Sequence, residues 1–62
     1  SGLTTFNASH PTSLKDQTWV LPRSKFGTPL VTAGSASVTA DSNEWIIAAN
    51  GGTQLHFVAA PR

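Results

Sequence analysis

The chain contains no cysteine, no methionine and no tyrosine. Without cysteine, neither a disulfide nor a thiolate metal site can brace it. Two histidines and three carboxylates are the remaining metal-ligand types, too few and too scattered for a structural metal, so no cofactor is expected. Charge is scarce as well. Only 11% of the residues are charged, against about 25% in ordinary soluble domains. The formal net charge of +1 speaks against a binder that relies on many phosphate contacts. No apolar run approaches the roughly 20 residues of a membrane-spanning helix. No charged stretch leads into an apolar one in the manner of a secretion signal. The composition favours a virion or extracellular setting without fixing one.

Sixty-two residues allow one small domain. A chain of this length buries only about 60% of the surface its unfolded form exposes, so its stability is marginal without a staple. With disulfides and metals set aside, the remaining staple is a protein partner or a homo-oligomer. Ser1-Gly2, with no methionine before it, fits either the processed start of a short complete chain or a linker remnant.

What is present is β-forming sequence punctuated by turns. The run from Asn43 to Ala60 organises the rest. Asn50-Gly51-Gly52 stands between two β-rich arms, a pattern that predicts a hairpin, with Asn and Gly supplying positive φ angles. Trp45, Ile47 and Ala49 share one face of the first arm, and Leu55, Phe57 and Ala59 share one face of the second. A helix over 45–50, capped by Ser42 or Asn43, is the competing assignment. The β propensity of Trp-Ile-Ile and the Asn-Gly-Gly stop argue against it.

Residues 1–17 are rich in Ser, Thr, Asn and Pro and show no sustained period. They are expected to form an extended N-terminal arm, with residues 18–62 as the small β domain. Leu3, Phe6 and Leu14 are spaced along the arm as anchors. They either enter pockets on a neighbour or fold back over an open edge of the chain's own sheet. Asn7-Ala8-Ser9 matches the N-glycosylation pattern, which without a secretion signal is read as coincidence. Further on, Thr18–Leu21 predicts a strand ended by Pro22. Thr28–Ala33 predicts a second, Gly34-Ser35 a type II′ turn, and Ala36–Ala40 a third strand of alternating pattern. Asp41-Ser42-Asn43 is a turn by composition. The sum is an all-β fold, a small antiparallel meander of about five short strands, as a barrel or half-sandwich.

One core face is expected to collect Trp19, Leu21, Leu30, Val38, Trp45, Ile47, Leu55 and Phe57. Val20, Val31, Ile46 and Val58 then turn outward as an apolar patch, a feature that on small proteins marks an interaction site.

The chemistry-bearing residues do not form a catalytic pattern. No serine or threonine stands in a nucleophile-elbow context. Asp41 and Glu44 flank a turn, but a carboxylate pair needs a cleft around its substrate. His56 alternates onto the face of Gln54 and Val58, as a solvent or interface histidine. These considerations predict a non-enzymatic structural protein that docks on a larger symmetric assembly, such as a capsid decoration or cement protein, through the arm and the outward apolar face. A carbohydrate-binding module acting through an exposed Trp19 or Trp45 is the alternative from another class. A small nucleic-acid-binding barrel using Arg23, Lys25 and Phe26 is the third.

Overall fold

Two apolar rows decide the architecture: Trp45, Ile47 and Ala49 on one strand, and Leu55, Phe57 and Ala59 on the next. A computed structural model describes residues 2–62. The chain forms β1 (Thr4–Ser9), β2 (Thr18–Pro22), β3 (Leu30–Ala33), β4 (Ala36–Ala40), β5 (Glu44–Ala49) and β6 (Gln54–Ala59). No helix occurs among the described residues, so the helix competing for 45–50 is absent. All strand pairs are antiparallel. They make two three-stranded sheets, a front sheet of order β1-β6-β3 and a back sheet of order β2-β5-β4. The small all-β, antiparallel expectation holds, with six strands in place of about five.

The expected central hairpin does not form. β5 and β6 are each the middle strand of a different sheet, and residues 50–53 arch from one layer to the other. The physical reason lies in the two apolar rows. Pairing side by side would put both rows on one layer and leave them needing a cover. Folding β6 over β5 lets each row cover the other. Ile47 and Phe57, the largest fully buried side chains, sit at the middle of that contact. Asn50 is not in the positive-φ region. Gly51 and Gly52 take those angles, at 150° and 77°, and Asp16 is the only non-glycine among the described residues to do so.

Gly34-Ser35 likewise forms no hairpin turn, because β3 and β4 lie in opposite sheets. Gly34 is nevertheless required, with φ at 86°. A Cβ there would stand 2.4 Å from the Gln54 carbonyl oxygen. Asp41-Ser42-Asn43 is a true turn. It joins β4 to β5 in one sheet, with the Asp41 amide donating to the Glu44 carbonyl at 2.8 Å.

The sheet-to-sheet links after β1, β3 and β5 gather at one end. His10 N donates to Thr53 O at 2.9 Å, Leu14 N to Gly52 O at 2.7 Å, and Asn50 N to Ser35 O at 3.0 Å. Asn50 also works with its side chain. Its Nδ2 donates to Ser35 Oγ at 3.1 Å, and its Oδ1 accepts from Ser37 Oγ at 3.3 Å. It therefore brackets the two arches together. The opposite end is closed by a bridge between Phe26 and Pro61 and by the Trp45 indole, whose Nε1 donates to the Phe26 carbonyl at 3.0 Å. The molecule measures 34 by 25 by 12 Å along its principal axes, the proportions of two sheets packed face to face.

Candidate interaction surfaces

Period-two alternation and the strand registers fix which side chains leave the sandwich. On the back sheet, Val20 stands opposite Ile46, and Ile46 opposite Thr39. Val20 is 50% exposed and Ile46 half-buried. Glu44, opposite Pro22, adds a charge at the rim of this face. On the front sheet, Val58 stands between Thr5 and Leu30. Leu30 is 63% exposed and Leu3 60%, whereas Val58 is only 9% exposed. Leu3, one residue before Thr4, falls diagonal to Val58 on the same face.

These positions divide the seven side chains expected to meet a partner. Leu3 and Val20 are exposed, and Ile46 is partly so. Leu14 is spent in the chain's own core at 2% exposure. Phe6 is half-buried and stacks on Phe57. Val31 stands opposite Phe57 and packs inward against the core. Val58 faces outward but is nearly covered. The single outward patch of Val20, Val31, Ile46 and Val58 is therefore corrected: two lie on the back sheet, one on the front, and one points inside. The segment read as an arm lies along its own sheet. Residues 4–9 pair with β6, and residues 10–17 are tied by backbone bonds to β5 and the β5–β6 arch. Ser1 lies outside the described residues.

Leu30, expected in the core, is exposed in its place. The strand has the other parity: Pro29 is buried and Val31 packs inward. Side-chain size suggested Leu30. The signal that was present is the apolar pair Pro29 and Val31; beyond it the bulge sets Ala33 opposite His56, exposed.

A bulge between Val31 and Ala33 leaves Thr32 as the extra residue of β3. Its hydroxyl donates to the His56 carbonyl at 3.2 Å and also bonds His56 Nδ1. His56 borders an open cleft of about 500 Å³ together with Asn7, Ser9, Gly34, Gln54 and Leu55. The lining contains no lysine, arginine, aspartate or glutamate. Among the described residues there is no group of three or more His, Cys, Asp or Glu placed to hold a metal ion.

The tryptophans form no exposed pair. Trp45 belongs to the core, with the Arg23 guanidinium 4.8 Å from its ring centroid. Trp19 is half-buried, its ring 6.2 Å from Phe57 and tilted by 58°. The basic loop is also engaged. Arg23 Nη1 donates to the Asp41 carbonyl, and the Phe26 ring packs edge-on against Phe6 at 6.0 Å. Phe26, beside Lys25, is half-buried.

Charge placement completes the geometry. Lys15 and Asp16 lie in the link after β1, and Arg23 and Lys25 in the link after β2. Asp41 is in the hairpin turn, Glu44 opens β5, and Arg62 ends the chain. No charged residue occupies an interior position of any strand. No family model, curated protein or solved structure matches this chain.

Proposed function

We propose that the protein is a non-enzymatic structural component whose broad sheet faces dock in a larger symmetric protein assembly, a capsid decoration or cement protein being the most concrete form. The observation that carries the proposal is the charge-free character of both sheet faces away from their rims, with Leu3, Leu30 and Val20 exposed on them. A free-standing domain of this size keeps charge interspersed over its surface for solubility. Edge strands are ordinarily guarded by lysine, proline or a bulge. Here β1 and β4 carry none of these. Permanent packing against other protein removes the need for both defences. The alternative reading through a sugar-stacking tryptophan keeps only the half-buried Trp19 to rest on, because the Trp45 ring is in the core.

The test is gradient sedimentation of unpurified source material, with the chain followed by mass spectrometry. The chain is expected in fast-sedimenting fractions, far above its own 6.5 kDa. Recovery only as a small free species overturns the proposal.

A further inference from the structure

Asn50 and Gly51 stand where the chain leaves β5 to cross to the other sheet. Asn50 is exposed, and its carboxamide is tied to the neighbouring arch through Ser35 Oγ at 3.1 Å and Ser37 Oγ at 3.3 Å. Both serines are exposed as well. The Gly51 amide that follows donates to no acceptor among the described residues. Gly51 has no side chain, and a Cβ built there would meet nothing within 4 Å. An electrophilic carboxamide and an unengaged, unobstructed amide nitrogen are therefore adjacent in the chain. The other two asparagines differ. Asn7 lies inside β1, paired with β6, and precedes Ala8. Asn43 precedes Glu44, the first residue of β5. At both, the following nitrogen is shielded by a side chain and belongs to a strand. Asparagine is among the chemically labile residues, and glycine after it removes the steric obstacle to attack by the main chain.

We infer that Asn50-Gly51 is a site of spontaneous deamidation in the folded chain, and that the bonds to Ser35 and Ser37 are its brake. The Gly51 nitrogen attacks Asn50 Cγ and passes its proton to water. The new N–Cγ bond closes a succinimide ring, and Nδ2 leaves as ammonia with a proton taken from water. A water molecule then opens the imide at either carbonyl, leaving aspartate or isoaspartate at residue 50. The sum is water in and ammonia out, with no oxidation or reduction. Ring closure draws Cγ onto the main chain and expels Nδ2, so the carboxamide must let go of the serines on the way. Those bonds are exposed and individually weak, so the fold slows the reaction without forbidding it. The products alter the bracket between the arches. Aspartate cannot donate to Ser35 Oγ. Isoaspartate adds a methylene to the main chain, close to where Gly34 already lies against the Gln54 carbonyl. Either product loosens one arch from the other, whatever the protein docks on.

The test is incubation of the purified full chain at neutral pH, folded and in urea, with each asparagine followed by peptide mapping and mass spectrometry. In the folded chain Asn50 is expected to convert, with the mass gain of an amide becoming an acid, while Asn7 and Asn43 stay intact. Urea is expected to speed conversion at Asn50. Ser35→Ala and Ser37→Ala are each expected to speed it in the folded chain by about two- to tenfold, the equivalent of one hydrogen bond. Phe6→Ala weakens the fold at the opposite end and is expected to leave the rate near wild type. Circular dichroism confirms that each variant is folded, and converted material is expected to melt below unconverted. An Asn50 that stays intact in the folded wild type overturns the inference, and so does conversion that begins at Asn7 or Asn43. Equal rates at Asn50 in the folded and urea-unfolded chain overturn it too, a comparison that needs no variant to fold. Folded serine variants no faster than Phe6→Ala have the same effect.

Discussion

Phe6 and Phe57 stand directly opposite each other across β1 and β6, their rings stacked with centroids 5.0 Å apart and planes 14° from parallel. The pair fastens the N-terminal strand to the centre of the front sheet. Phe6→Ala is expected to cost ~2–4 kcal/mol, since it removes a large, half-buried ring and its stacking partner's cover. Deletion of residues 2–14 removes β1 and Leu14 together and is expected to unfold the chain. Urea denaturation checks both. A truncated chain that keeps a cooperative transition near the wild-type midpoint would show that this segment is an accessory after all.

Ile47 and Leu30 make the sharpest internal comparison. Ile47 is fully buried and Leu30 largely exposed. Ile47→Ala is expected to lose ~2–5 kcal/mol. Leu30→Ala is expected to stay within about 0.5 kcal/mol in the monomer. Thermal melts at low protein concentration separate the two effects from any change in association.

Gly34 and Gly27 differ in what a methyl group would meet. At Gly34 the positive φ and the Gln54 carbonyl both resist a side chain. Gly34→Ala is expected to cost at least ~1–3 kcal/mol. At Gly27 the nearest atom, the Ala60 carbonyl oxygen, is an ordinary 3.8 Å away, and Gly27→Ala is expected to be close to neutral. Equal melting temperatures for the two variants would contradict the close packing of the arches.

Asn50 offers a test of the bracket between the arches. Asn50→Ala removes the bonds to Ser35 Oγ and Ser37 Oγ. At about 0.5–1.5 kcal/mol for each, discounted because these groups are exposed, the loss is expected to be about 1 kcal/mol. Asn50→Gly, which favours positive φ, is expected to do no better than alanine. A glycine variant as stable as wild type would point to backbone conformation, not side-chain bonding, as the role of this residue.

Strand identity was legible in the sequence to a large degree, because alternation is a local property. The runs Ala36–Ala40, Trp45–Ala49 and Leu55–Ala59 declare themselves. Layer assignment was not legible from turn chemistry. Asn-Gly-Gly satisfies a hairpin and an arch equally well, since both ask for positive φ at glycine. What separates them is the fate of two apolar rows too large to leave uncovered, a tertiary quantity. β1 was hidden for a related reason: Thr, Asn and Ser fill its outward positions, so an edge strand with one wet side resembles a solvated arm. The parity of β3 failed because Leu30 is bulkier than Pro29, although Pro29 and Val31 are the pair that turns inward. Among the outward-facing residues, the exposure of Leu3, Val20 and Ile46 was legible in the sequence, whereas that of Leu30 and the Thr32–His56 pair depend on register and a bulge.

The strand order has a kinetic side. Only β4 and β5 are joined as a hairpin, so every other pairing closes a long loop, and β1 must find a partner almost the full chain away. The middle strand of the front sheet is the last of the six strands to be synthesised. Until residues 54–59 emerge, β1 and β3 have nothing to pair with, and their apolar sides stay open. Such topologies fold in milliseconds to seconds, far more slowly than helical chains of equal length. For this molecule the interval between synthesis and a finished front sheet is when self-association of the wrong kind is most open to it.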